Sequence, residues 1–180
     1  MADQRPQDEQ RIEGWAREHS RAVRGYLWAM TRRTDVADDL WQEVLCRAWQ
    51  ARTRYQEQGN ARAYLLRIAD RLVCDRARRA EPSVNLTEEG WSQHEPADTT
   101  SEPAAELAQT EEMRRLSLAL DQVSAVQQRV LLLRYYGEFS FDEIAETIGC
   151  PLNTTLSHCR RGLETLRKLL GKDHESTGRR

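Results

Sequence analysis

The polar side chains best suited to chemistry lie near the carboxyl terminus, on the last helix that the sequence predicts. Residues at steps of three and four predict its core face: Leu156, Cys159, Leu163, Leu166 and Leu170. Its outward side is then predicted to carry Thr154, Ser157, His158 and Arg161, with Arg160 at the margin and Asn153 as the cap. Short polar groups and arginine can bind base edges and phosphates in a DNA major groove. The alternative is a helical hairpin with a solvated polar face.

The residues before this helix predict the partner that would hold it in place. Ser140 and Glu143 form a capping box that starts a short helix over 141–148, and Gly149 ends it. Small Ala145, Gly149 and β-branched Thr155 are spaced as two helices in a tight crossing require. The sequence therefore predicts a helix-turn-helix.

A second basic surface is predicted on a helix running from about residue 61 to 79. At helical pitch Arg67, Arg71 and Arg78 lie within about 40° of one another, beside Tyr64 and the polar loop 55–60. A basic groove next to a stacking side chain is suited to unpaired bases. These residues alone favour the alternative, a solvated arginine face with Tyr64 in the core.

An acidic patch is predicted on the first two turns of the helix before it. That helix begins near Thr34 or Asp35, and its apolar residues, Leu40 among them, repeat at steps of three and four. Its other face carries the polar set Asp38, Asp39, Gln42 and Glu43. Such a patch is suited to a basic protein partner, although most charged faces are only solvated surface.

These surfaces fall on an all-α chain of two small domains. Helices are predicted over about 10–30, 34–49 and 61–79, and then over about 110–123, 124–136, 141–148 and 153–170, with Ser124 and Gln127 as a further capping box. The first domain is 1–79, the second is 114–172, and 173–180 is predicted to be a disordered tail. Residues 80–113 hold three prolines, nine acids and neither Lys nor Arg, which predicts a flexible acidic linker.

Charge and composition exclude several classes of protein. The overall charge of -2 divides into +4 over 1–79, -9 over 80–113 and +3 over 114–180, and 25 of the 27 basic residues are arginine. No apolar run approaches the length of about 18 residues that a membrane span needs, and no signal peptide is visible, so we expect a cytoplasmic protein without membrane insertion. The four cysteines form no CxxC pair, and we expect reduced thiols, no metal and no cofactor. No catalytic constellation is visible, so an enzyme is not expected.

Two long runs resemble one known family. ADDLWQEVLCRAWQ (37–50) followed by NARAYLLRIADRLVCDRARR (60–79) is similar to the second conserved region of bacterial RNA polymerase sigma factors of the extracytoplasmic-function (ECF) group. The segment from ALDQV to RKLL (119–170) is similar to their fourth region. The resemblance covers about two thirds of the chain and implies a promoter-specificity subunit.

The resemblance also implies roles for individual residues. The residues that would dock on the clamp helices of the polymerase β′ subunit are Asp38, Asp39, Leu40, Gln42 and Glu43. Those that would bind the -10 element and the melted strand are Tyr55, Gln58, Asn60, Arg62, Tyr64, Arg67, Arg71 and Arg78. Those that would bind the -35 element are Asn153, Thr154, Ser157, His158, Arg160 and Arg161. The preceding helices of the second domain would meet the β flap, the linker would thread toward the active-site cleft, and an anti-sigma factor is a further candidate partner.

The sequence departs from this family at several positions. Leu156 and His158 replace a common Lys and Arg, Gly162 replaces a usual alanine, and Asp70 with Arg71 replaces a frequent Arg-Asn. The promoter sequence therefore does not follow from the family, and Gly162 is expected to let the last helix flex. Two other functions stay open: a one-component DNA-binding regulator with a ligand sensor in 1–79, and a metal or redox sensor using the cysteines.

Overall fold

A computed structural model describes residues 5–55, 60–80 and 111–176. Gln58 and nearly all of the predicted linker 80–113 lie outside the described residues. The described chain forms two compact units, one with three helices and one with the remaining helices, and all of its regular structure is helical. The predicted all-α class is confirmed. None of the described helices combines the length and apolar character needed to span a bilayer.

The first unit consists of α1 (Arg5–Thr31), α2 (Thr34–Gln50) and α3 (Ala61–Ala80). Helix α2 has the predicted apolar period, and its buried face is Val36, Ala37, Leu40, Val44 and Ala48. Neither Thr34 nor Asp35 occupies the cap position, which is that of Arg33, and the Arg33 side chain makes no cap hydrogen bond. Packing of the apolar face, rather than capping, therefore stabilises its start.

A buried polar contact joins α1 to α3. The hydroxyl of Tyr26 donates to Oδ1 of Asp70 at 2.7 Å, and both side chains are almost completely buried. A carboxylate in an apolar core requires hydrogen-bond donors, and the tyrosine supplies one of them. Asp70, where the family often has arginine, is therefore part of the packing between α1 and α3.

The second unit consists of α4 (Glu111–Asp121), α5 (Ala125–Leu131), a π-helical turn (Leu132–Tyr136), α6 (Phe141–Ile148) and α7 (Leu152–Ser176). The predicted helix over 124–136 thus begins as an α-helix and ends as a π-helical turn. The capping box predicted at Ser124 is wrong, since that side chain makes no cap hydrogen bond. The box at Ser140 is confirmed: its hydroxyl accepts from the Glu143 amide and the Glu143 carboxylate accepts from the Ser140 amide.

Helix α7 differs from its prediction at both ends. It begins at Leu152, so Asn153 lies inside the first turn rather than at the cap, and it continues to Ser176. Residues 173–176, predicted as part of the tail, are therefore helical. Its side toward the unit's core includes Thr155, His158, Cys159 and Gly162, which are all buried.

Candidate nucleic-acid and protein interfaces

The acidic face of α2 is open to solvent but partly neutralised by the chain itself. Asp39, Gln42 and Glu43 are exposed and Asp38 is half-buried. The Arg24 guanidinium, on α1, donates to Asp38 at 2.8 Å, and Arg47 donates to Glu43 at 2.9 Å. Among the described residues Asp39 has no ion-pair partner, so it is the uncompensated carboxylate of the patch.

Leu40 does not belong to this exposed face. Its side chain is 9% exposed and packs with the other buried residues of α2. Its inclusion among surface contacts is therefore corrected: it holds the helix against the core, and that packing directs Asp39 and Glu43 outward. The period of the apolar residues already contained this information, because Leu40 is one of its members.

An aromatic cluster marks the start of the loop before α3. The ring of Tyr55 lies 4.5 Å from that of Tyr64 and 4.8 Å from that of Trp15, measured between centroids. The guanidinium of Arg11 lies over both Trp15 and Tyr55. Burial raises the pKa of the Tyr64 hydroxyl, an effect that Arg11 partly offsets. The two tyrosines are half-buried, so part of each side chain is accessible to solvent.

Asn60 ends this loop and begins α3. Its side-chain oxygen accepts from the Ala63 amide at 2.9 Å, which satisfies one of the free amides at the helix start. Asn60 is also exposed. The cap holds the loop's end in a fixed position relative to α3, next to Tyr64.

The predicted basic stripe lies on the solvent side of α3. Arg71 and Arg78 are exposed and Arg67 is half-buried, whereas Asp70 and Leu66 point into the core. Arg62, in the first turn, is half-buried. Helix α3 therefore presents a basic side that begins beside the aromatic cluster.

The second unit contains the predicted turn, which joins α6 to α7. Gly149 ends α6 with a φ of 73°, a left-handed conformation that glycine adopts without steric cost. Thr155 is completely buried, and its hydroxyl donates to the Pro151 carbonyl at 3.2 Å. Helices α6 and α7 with this turn form the predicted helix-turn-helix.

The outward side of α7 overlaps the predicted one but is rotated around the helix axis. Asn153, Arg160 and Arg161 are exposed, and Thr154 and Ser157 are half-buried. His158, predicted to face DNA, is only 4% exposed, whereas Leu156, predicted to face the core, is 40% exposed. The helix is thus rotated, because Thr155 and Gly162 pack inside and turn Leu156 outward.

Comparisons with known proteins fit both units. Residues 15–82 match the family described as Sigma-70 region 2, and residues 113–174 match Sigma-70, region 4. The chain belongs to the sigma-70 family. The ECF sigma factor SigK of Mycolicibacterium vanbaalenii is 27% identical over 83% of this chain and 76% of its own length. Sigma factor YlaC of Bacillus subtilis is 29% identical over 85% of this chain and 90% of its own length.

Two solved structures share the fold. The sigma factor RpoE of Bartonella quintana, in complex with the anti-sigma factor NepR, has a TM-score of 0.66 at 22% identity over 90% of this chain and 98% of its own. CnrH, in complex with the cytosolic domain of CnrY, has a TM-score of 0.61 at 19% identity over 92% of this chain and 90% of its own. Together with the relatives, the two regions identify the protein as an ECF sigma factor, a subunit of RNA polymerase.

Gly162 has a packing role in this sigma factor. An added Cβ would lie 2.9 Å from Cδ1 of Leu131 and 3.3 Å from Cβ of Gln127, both on α5. The glycine therefore allows α5 and α7 to approach closely. This contact, rather than the flexibility expected from the sequence, accounts for glycine at a position where the family usually has alanine.

The cysteines of this sigma factor are separate thiols. None is in a disulfide; Cys74 and Cys159 are buried, Cys150 is half-buried and Cys46 is exposed. Burial raises the pKa of the Cys159 thiol, and a hydrogen bond with the Tyr135 hydroxyl partly offsets this increase. Within the part of the chain that the structure describes, no three His, Cys, Asp or Glu side chains come together as metal ligands.

Proposed function

We propose that this sigma factor directs RNA polymerase to promoters through three surfaces: the acidic face of α2, the aromatic cluster with the basic side of α3, and the outward side of α7. Each surface acts by binding, and no catalytic step is assigned to any of them. The observation that carries the proposal is that all three are solvent-accessible on helices held by buried packing. We further propose a cytoplasmic location, since promoter DNA and polymerase meet there.

The acidic face docks on the clamp helices of the β′ subunit. Asp39 is its central contact, because that carboxylate is exposed and has no ion pair to break among the described residues. Asp38 and Glu43 exchange their present arginine partners for basic side chains of the polymerase. Gln42 adds a neutral hydrogen-bonding group between them.

The aromatic cluster and α3 bind the -10 element. The accessible parts of Tyr55 and Tyr64 stack on unpaired bases, and Arg67, Arg71 and Arg78 bind the phosphates of the melted strand. Base stacking on an aromatic side chain contributes about 1–3 kcal/mol per base. Gln58, Asn60 and Arg62 complete the set that we assign to this strand.

The second unit binds the -35 element with α7. Asn153, Thr154, Ser157, Arg160 and Arg161 form its DNA-facing set; His158 is removed from the earlier assignment because it is buried. The helices before α6 meet the β flap, and the acidic linker follows the basic channels of the polymerase. An anti-sigma factor is a further partner in the proposal, as NepR is for the RpoE of Bartonella quintana.

Charge reversal on α2 tests the proposal. Asp39→Arg with Glu43→Arg should abolish co-purification with core polymerase, because loss of one partner of an interfacial charge pair costs about 2–5 kcal/mol and reversal adds repulsion. Promoter-dependent transcription in vitro should be lost with it. The matched control is Glu13→Arg with Glu18→Arg, which makes the same change of charge at exposed positions of α1. Normal binding by the folded α2 variant would reject the docking surface.

A further inference from the structure

Two leucines stand exposed in the first turns of α7. Leu152 is 39% exposed and Leu156 is 40% exposed, which makes them two of the four large apolar side chains open to solvent in the described part of the chain. They are one helical turn apart and lie within about 40° of each other around the helix axis. Their exposed neighbours on α7 are Asn153, Arg160 and Arg161.

A single exposed leucine is ordinary on a protein surface, so exposure alone does not indicate a function. The position of the leucine on the helix is the informative observation. Leu156 is the fifth residue of α7, and the amino-terminal residues of a recognition helix are those that contact base edges. In the major groove thymine is distinguished by its C5 methyl group, whereas cytosine presents an amino group at the same edge. A leucine side chain makes no hydrogen bonds, so the methyl group is the base-edge feature that it binds favourably.

We infer that Leu156 recognises a thymine of the -35 element by contact between its methyl groups and the C5 methyl of that base. The inference rests on the proposed function, in which α7 binds this element. A cytosine at the same position has hydrogen in place of the C5 methyl, so leucine would lose this apolar contact. Arg160 and Arg161 supply attraction to phosphates or bases, and Leu156 supplies discrimination between two pyrimidines.

The experiment starts from the -35 element that the holoenzyme itself prefers. Core polymerase with this chain selects DNA from a library randomised across the -35 element, and the selection is repeated with Leu156→Ala. The critical thymine is the one at which Leu156→Ala loses the preference. That thymine is then replaced by deoxyuridine, which removes only the methyl group, and holoenzyme affinity is measured at constant salt.

The expected loss for the wild-type holoenzyme is about fourfold, which corresponds to the burial of one methyl group at about 0.8 kcal/mol. The Leu156→Ala holoenzyme should bind the two DNAs equally. Leu156→Met keeps an apolar side chain and should keep the response. Deoxyuridine placed in the spacer between the two elements is the matched DNA control and should change neither affinity.

Three results would overturn the inference: a preferred element without thymine, a wild-type holoenzyme indifferent to deoxyuridine, or a response that is retained by Leu156→Ala and lost by Leu152→Ala. Arg160→Ala and Arg161→Ala test the proposed function separately. If neither weakens binding to the -35 element, α7 does not bind that element and both proposals fail. If they weaken it while deoxyuridine has no effect, only the thymine contact is wrong.

Discussion

Gly162→Ala brings two opposing effects into direct competition. Alanine is more favourable than glycine inside a helix by about 0.8–1.0 kcal/mol. At this position, however, the new Cβ would lie 2.9 Å from Cδ1 of Leu131 and 3.3 Å from Cβ of Gln127. Leu131 is 4% exposed and cannot turn away freely, so overpacking should cost about 1–3 kcal/mol. We expect a net loss of about 1 kcal/mol in the free energy of unfolding of the second unit.

The distribution of tryptophan allows the two units to be followed separately in urea. Four of the five tryptophans, at positions 15, 28, 41 and 49, lie in α1 and α2 and report on the first unit by fluorescence. Circular dichroism reports on both units. Gly162→Ala should therefore lower the midpoint of the second unit's transition in circular dichroism and leave the fluorescence transition unchanged.

Gly171→Ala is the matched control, since it lies on the same helix and its added Cβ would meet nothing within 4 Å. It should be neutral or stabilising by up to about 1 kcal/mol. In a Leu131→Ala background the clash with Cδ1 is absent, so Gly162→Ala should no longer destabilise. Stabilisation by Gly162→Ala in the wild-type background, equal to that of Gly171→Ala, would refute the close approach of α5 and α7 and restore flexibility as the reason for glycine.

Other perturbations test the buried polar contact, the buried thiol and the linker. Tyr26→Phe removes one hydrogen bond to the buried Asp70 and should lower the stability of the first unit by about 1–3 kcal/mol, measured by tryptophan fluorescence in urea; an unchanged midpoint would contradict the role of this bond. Burial raises the pKa of the Cys159 thiol, so the unfolded chain loses this proton before the folded chain does as pH rises above about 8.5. The second unit should therefore become less stable above that pH, and Cys159→Ala should weaken this dependence of stability on pH. Replacing the nine acids of 80–113 by amides should raise salt-sensitive DNA binding of the free protein and weaken promoter-dependent initiation; normal initiation across a salt titration would leave the linker as a tether only.

Much of the fold follows from local patterns. Helix α2 could be predicted because its apolar residues recur without interruption, and α6 because a capping box and a left-handed glycine define both of its ends. Sequence alone does not decide whether a capping residue forms its hydrogen bond, since the same residue types also occur where no cap bond forms. The predicted cap at Thr34 or Asp35 and the predicted box at Ser124 are two such cases. The π-helical turn at Leu132–Tyr136 carries no sequence signature that distinguishes it from an α-helix.

The candidate sites were predictable where polarity and burial agree. Asp39, Glu43, Arg71 and Arg161 are exposed as predicted. On α7 the two disagree, because polar His158 is buried and apolar Leu156 is exposed. A hydrophobic period depends only on which residues are apolar, whereas packing in the core also depends on the size and shape of each side chain. At Gly162 the close approach of α5 limits the space that is available. Thr155 was the available signal: taking it as a core residue, as the turn pattern suggested, fixes the correct rotation.

The arginine partners of Asp38 and Glu43 give the acidic face a means of discrimination. Any basic molecule that approaches these carboxylates must compete with Arg24 or Arg47, so it gains only the difference between two ion pairs. Single cations and short basic peptides gain little from that exchange. A surface that offers several positive groups at the spacing of α2 displaces both arginines together and also pairs Asp39. The acidic face therefore selects for positive groups at a matching spacing rather than for positive charge alone.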